Sequence, residues 1–181
     1  MFPLSEPAQS ELLKLSRHCL EEFLSQGRKT ITEPGCAELL ELRGVFVTLH
    51  ALNELRGCIG VPEPASPLFQ AAQSCSISAA RADPRFCPMT AAELPDVKIE
   101  ISVLSPLEAV EQISSIVVGL HGLLLNHQGR RGLLLPRVPV EQGWDREQFL
   151  DQLCRKAHLP ATAWKEGATI HRFSAFVFRE K

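Results

Sequence analysis

Tyrosine is absent from this 181-residue chain, which excludes a tyrosine acid, nucleophile or radical. Net charge is almost absent as well. Nineteen Lys and Arg stand against 21 Asp and Glu, leaving −2, so bulk charge draws the chain neither to nucleic acid nor to an anionic membrane. No apolar run approaches the ~18 residues that span a bilayer. The first residues, Met1-Phe2-Pro3-Leu4-Ser5-Glu6, carry neither a basic nor an apolar leader region, which predicts a cytoplasmic protein. There is no C-x-x-C pair, H-x-x-x-H run, EF-hand loop, glycine-rich phosphate loop or G-x-S-x-G elbow. The expectation is therefore no metal site and no cofactor held by this chain. The six cysteines, Cys19, Cys36, Cys58, Cys75, Cys87 and Cys154, are dispersed. In a reducing compartment most such thiols act as small hydrophobes.

What is present suffices for a folded unit. Apolar residues make up 45% and charged residues 22%, enough for a core without disulfides. Helical spacing of Leu12, Leu13, Leu20, Phe23 and Leu24 predicts a helix over about Ser10–Gln26, stopped by Gly27. Gly44–Leu49 and Glu54–Val61 predict a hairpin with Val45, Val47 and Leu49 on one face. On the second strand Leu55, Gly57 and Ile59 are expected on one face, Arg56 and Cys58 on the other. Ser66-Pro67 predicts a helix start, with Ser66 as its cap. Val97–Leu104 alternates and predicts a strand with Val97, Ile99, Ile101 and Val103 inward. Leu107–Ser114 suggests a short helix. Ile116–Val118, Gly122–Asn126, Gly132–Leu135 and Ile170–Phe178 suggest strands, and Asp145 caps a helix that buries Phe149, Leu150, Leu153, Cys154 and Ala157. Without regular βαβ alternation, the fold class is α+β: one compact domain with an antiparallel or mixed sheet flanked by helices.

Three stretches could carry chemistry. In Leu55-Arg56-Gly57-Cys58-Ile59-Gly60, a strand places Arg56 and Cys58 roughly 7 Å apart on one face. Arg56 could then favour a Cys58 thiolate, and Gly57 and Gly60 would admit a ligand or another backbone. The alternative is a packing cysteine beside a surface arginine. In Asp83-Pro84-Arg85-Phe86, Asp83 can accept backbone hydrogen bonds and Arg85 can grip an anion; alternatively the pair anchors a loop. In Gly119-Leu120-His121-Gly122-Leu123, His121 could serve as a general base, a ligand or a proton carrier to Cys58, or could simply brace a turn. Glu100 and Ser102 point off the core face of their strand, toward a cleft or toward water.

These stretches in this order resemble the AMMECR-type domain, also known as AmmeMemoRadiSam system protein A. The resemblance also rests on Ile101-Ser102-Val103-Leu104-Ser105, Leu134-Leu135-Pro136-Arg137-Val138, Glu141-Gln142-Gly143-Trp144-Asp145 and Leu153-Cys154-Arg155-Lys156-Ala157. It covers about residues 44–178, with 1–43 as a helix and lead-in, and the six residues ending at Gly60 are the hallmark. The lack of tyrosine departs from many members. The resemblance implies an α+β domain with a larger and a smaller lobe and a cleft between them lined by the hallmark residues. It also implies partners, a Memo-like protein related to dioxygenases and a radical-SAM protein, which would hold any cluster or metal. Two functions stay open. In one, Cys58 is a nucleophile or covalent carrier, His121 moves protons, and Arg56, Gly57, Gly60, Asp83, Arg85, Glu100 and Ser102 shape a substrate pocket. In the other, the domain is a non-catalytic adaptor that presents a ligand-binding cleft to those partners.

Overall fold

Ser5 opens the first helix, α1 (Glu6–Gln26), by accepting the Ala8 N–H at 3.4 Å. That is four residues earlier than the apolar spacing predicts. The reason is Pro7, which sits in the first turn, where its missing N–H costs nothing. Gly27, at φ 70°, closes the helix in the left-handed region, its N–H bonded to the Phe23 carbonyl. The computed structural model describes residues 3–181. They form two compact units, residues 3–104 with Phe176–Lys181, and Ser105–Ala175.

In the first unit, β1 (Val45–Ala51) and β2 (Glu54–Val61) form the expected antiparallel hairpin. Its turn is the two residues Leu52 and Asn53, both at positive φ, the geometry that matches strand twist. Helix α2 (Leu68–Arg81) follows. Its cap position is Pro67 rather than Ser66, and it uses no side-chain cap; the Pro67 carbonyl accepts from Gln70 and Ala71. After a 3-10 turn at Ala91–Asp96 comes β3 (Val97–Leu104), with the predicted bounds. Helices α1 and α2 pack with Val45, Val47, Leu49, Ile99, Ile101 and Val103 into one core. Gln73, fully buried in α2, holds the Thr32 backbone through both its amide oxygen and nitrogen, at 2.9 Å each. This anchors the irregular lead-in to the core.

The second unit starts with a short strand, β4 (Glu108–Ala109), and a 3-10 turn, Ile113–Ser115, where a helix was expected. Ile116–Val118 is not a strand: the Val117 carbonyl accepts from both Leu120 and His121, and the chain turns back. The strands β5 (Gly122–His127) and β6 (Arg130–Leu134) make a hairpin. A five-residue helix, α3 (Arg137–Glu141), contains Pro139 and carries too few residues for a visible apolar period. Helix α4 (Arg146–Lys156) has the expected Asp145 cap, completed by Gln148 in a reciprocal box. It buries Phe149, Leu150 and Leu153 against Leu123, Leu125 and Ile170.

The last predicted strand is two strands, β7 (Thr169–Phe173) and β8 (Ala175–Arg179). They break at Ser174, whose N–H goes to the Ser105 hydroxyl and whose carbonyl accepts the Ser105 N–H, both at 2.9 Å. The sheets are β2-β1-β3-β8 and β4-β7-β5-β6; β1 runs antiparallel to β2 and β3, β7 to β4 and β5, and β5 to β6. The protein is α+β. Among the described residues no helix is long and apolar enough to cross a membrane.

Gly57 faces α2. A Cβ built there would lie 2.1 Å from the Ala79 carbonyl oxygen, so the glycine sets how closely the helix approaches the sheet. Gly57→Ala is expected to cost about 1–3 kcal/mol by overpacking, seen as a lower urea midpoint at constant m-value. An unchanged midpoint would mean that α2 moves off without cost.

Candidate functional site

The geometry around Cys58 begins with an irregularity in the hairpin. Counting back from the two-residue turn pairs Ala51 with Glu54 and His50 with Leu55, but then Leu49 pairs with Gly57 and Thr48 with Cys58. Arg56 is the extra residue of a β-bulge. A bulge re-aims side chains, and here it alters three sequence readings at once. Leu55 sits beside His50 rather than with Gly57. Arg56 leaves the regular alternation that Cys58 follows. Cys58 comes opposite Thr48, whose hydroxyl donates to the Cys58 sulfur at 3.2 Å.

Arg56 is paired with Glu93 rather than with Cys58. Its Nε and Nη2 bond to Glu93 at 2.7 and 3.2 Å. Glu93 also accepts the Thr90 N–H at 2.9 Å. Arg56 first, and the Thr90 N–H after it, hold the Glu93 carboxyl below its ordinary range.

The group next to Cys58 is Asp83. Its carboxylate is buried, with the side chain 2% exposed. It accepts the Cys58 N–H at 2.8 Å, the Arg85 N–H at 3.1 Å, and the Arg85 guanidinium at 2.9 and 2.7 Å. Because β2 lies at the sheet edge, the Cys58 N–H has no strand to bond on that side, and Asp83 supplies the missing acceptor. The Arg85 guanidinium, then burial in opposition, then the two N–H bonds leave the Asp83 carboxyl far below its usual range. Arg85 is raised chiefly by Asp83, with a smaller contribution from the nearby Cys58. The Phe86 ring receives both guanidinium groups, Arg85 at 5.5 Å and Arg56 at 6.0 Å from its centre.

Across the sheet, Thr48 pairs with Cys58 on one side and with Glu100 on the other; Phe46 likewise pairs with Gly60 and Ser102. Glu100 and Ser102 do not face water: they are 8% and 4% exposed. Glu100 Oε1 lies 3.8 Å from His50 Nε2. Gly60 is covered by the Phe46 ring, 2.3 Å from where a Cβ would stand. Both hallmark glycines thus have neighbours from this chain, α2 at Gly57 and Phe46 at Gly60.

His121 belongs to the second unit. Its Nδ1 accepts the Val117 N–H at 3.0 Å, so the turn uses that lone pair. Burial, and after it the Arg172 cation, lower its pKa from the ordinary value, opposed by Glu108. The neutral ring keeps its proton on Nε2 and acts there as a donor. The expected general base has no free lone pair in this arrangement.

Among the described residues no three of His, Cys, Asp and Glu gather as a metal-ligand cluster. Thr48, Glu93 and His50 are the site residues that sequence reasoning missed. The signal for Thr48 was its place on the alternating face of β1, but the bulge hid its partner.

A family model, AMMECR1, matches residues 13–178. The chain belongs to the AMMECR1 family. It is 44% identical over 177 residues to Protein MJ0810 of Methanocaldococcus jannaschii, covering 93% of this chain and 88% of that protein. It is 44% identical over 180 residues to Protein MK0488 of Methanopyrus kandleri, covering 94% and 87% respectively. The crystal structure of uncharacterized protein PH0010 from Pyrococcus horikoshii superposes with a TM-score of 0.92 at 39% identity, covering 99% of this chain and 95% of that one.

The Asp83 carboxyl is depressed in the folded state. Its stabilisation is therefore present above the unfolded value, about pH 4, and is lost as the pH falls toward the folded value. Arg85 is 55% exposed, and solvent screens that part of the pair. Asp83→Asn is expected to cost about 1–2 kcal/mol at pH 7, and the gap to wild type should close between about pH 5 and pH 2. Urea titration across that range measures it, and a gap independent of pH contradicts the ion pair as its source.

Proposed function

We propose that the Cys58 face of the first sheet is a ligand site, and that Cys58 is its nucleophile or covalent carrier. One observation carries this reading: the Cys58 sulfur accepts a hydrogen bond. Thr48 donates to it, whereas the Cys19 and Cys36 thiols act as donors, to the Gln73 carbonyl and to Glu38. Arg85 is held beside Cys58 by a carboxylate that also holds the Cys58 N–H. Cys58 is half-buried, while Cys19, Cys75 and Cys154 are buried. Burial pushes the Cys19 and Cys75 thiols up to about 11 and raises Cys154.

The chemistry follows from these groups. The Cys58 proton passes to water and the sulfur lone pair attacks a ligand carbonyl carbon. An S–C bond forms as the C=O π pair moves to oxygen, and the nearby Arg85 cation stabilises that oxyanion. The step reverses by expulsion of the thiolate. The resemblance to AmmeMemoRadiSam system protein A supplies the setting: a component acting with a Memo-like protein and a radical-SAM protein, in which any cluster or metal would reside.

A second reading, a non-catalytic adaptor for the same partners, has its own support. Arg56 with Glu93 and Arg85 with Asp83 are already paired within the chain, so neither cation needs a substrate to neutralise it.

Alkylation of folded protein, followed by peptide mass spectrometry, separates the two. On the first reading Cys58 labels at least as fast as the exposed Cys87, despite being less accessible. Thr48→Val and Arg85→Ala should each slow Cys58 by several-fold, on the order of the ~1 kcal/mol of one hydrogen bond, and leave Cys87 unchanged. A Cys58 that labels only on unfolding, or at a rate insensitive to both variants, establishes the adaptor reading.

A further inference from the structure

Beside the Cys58 row, and sharing His50 and Glu100 with it, the first unit carries a cavity of about 390 Å³ lined by His50, Asn53, Lys98, Glu100, Arg179 and Glu180. A second cavity of about 310 Å³ shares His50, Asn53 and Lys98 with it and continues to Leu52, Pro95 and Asp96. We propose that this pocket binds a small phosphomonoester, with the phosphate between Lys98, Arg179 and Asn53 and the organic part toward Leu52 and Pro95.

Two cations without an acidic partner favour an anion, against Glu100 and Asp96 in the lining. Lys98 and Arg179 have no acidic partner and no hydrogen-bonded side chain among the described residues, unlike Arg17, Arg56, Arg85 and Arg172. Glu180 does not neutralise them. Its carboxylate is taken by the Arg17 guanidinium and by the Ile99 N–H at 2.8 Å. His50 Nε2 is buried without a hydrogen-bond partner, and its nearest acid, Glu100, stays at 3.8 Å. A rotation of the imidazole toward a bound oxygen would give that nitrogen the partner it lacks.

The placement favours a tetrahedral oxyanion over a carboxylate. The donors come from three separate elements: Lys98 from β3, Arg179 from β8, and Asn53 from the turn joining β1 and β2. Donors converging from different directions suit an anion whose oxygens point out of one plane, and Arg offers the bidentate grip. The adjoining cavity, with Leu52 and Pro95 in its lining, accounts for an ester substituent. A volume in this range is that of a small-metabolite site.

Isothermal titration at low ionic strength tests this with three probes: phenyl phosphate, inorganic phosphate and benzoate. Phenyl phosphate should bind saturably, more tightly than inorganic phosphate and more tightly than benzoate. Replacing both Lys98→Ala and Arg179→Ala should weaken phenyl phosphate by about tenfold or more. Arg155→Ala, which removes a charge from an exposed position of α4, should leave binding unchanged and controls for net charge. The wild-type comparison needs no variant to fold. Three results overturn the proposal: no saturable binding, benzoate equal to phenyl phosphate, or an Arg155→Ala loss as large as that of the double variant. None depends on whether Cys58 is reactive.

Discussion

The carboxylate of Asp83 joins three things that would otherwise be independent. It is the acceptor for an edge-strand amide, the counter-charge for Arg85, and the closing residue of the turn after α2. Edge strands carry unpaired backbone groups and tend to fray or to recruit foreign strands. Here the edge is held from within the chain at Cys58 by Asp83, and two residues earlier at Arg56 by Glu93. The Cys58 sulfur is therefore positioned by strand pairing with β1 on one side and by a buried charge on the other.

Two glycines complete that positioning through close packing. Gly57 lets the Ala79 carbonyl approach from α2, and Gly60 lets the Phe46 ring lie over the strand. A side chain at either position would push β2 away from one of its neighbours. The hallmark segment thus alternates contact with a helix, a half-buried cysteine, and contact with an aromatic ring. The two glycines thus fix the backbone on which Cys58 stands.

Much of this architecture was visible in the residues. The alternation of Val97–Leu104 specified β3 because one face must be apolar against α1 and α2, and Asp145 with Gln148 specified the start of α4 through a local capping box. Asp83 and Arg85 were legible as a pair because they are two residues apart. The elements that escaped depend on contacts distant in sequence. The break at Ser174 needs Ser105, sixty-nine residues away. The bulge at Arg56 sits among partners outside β2, Glu93 at its guanidinium and Ala79 at Gly57. Arg56 looked like a partner of Cys58 because simple alternation puts positions two apart on one face, and one extra residue is enough to undo that. His121 looked like a base because its type titrates near neutrality, but its Nδ1 serves Val117.

The account centres on the bond from the Cys58 N–H to Asp83, and amide hydrogen exchange at Cys58 measures that bond directly. In the wild-type protein the Cys58 amide should be strongly protected although it lies on a sheet edge. In Asp83→Ala that protection should fall selectively, while amides of β1 and β3 in the core keep theirs. A Cys58 amide that exchanges freely in the wild type, or that is equally protected in Asp83→Ala, would contradict the claim that this carboxylate holds the site together.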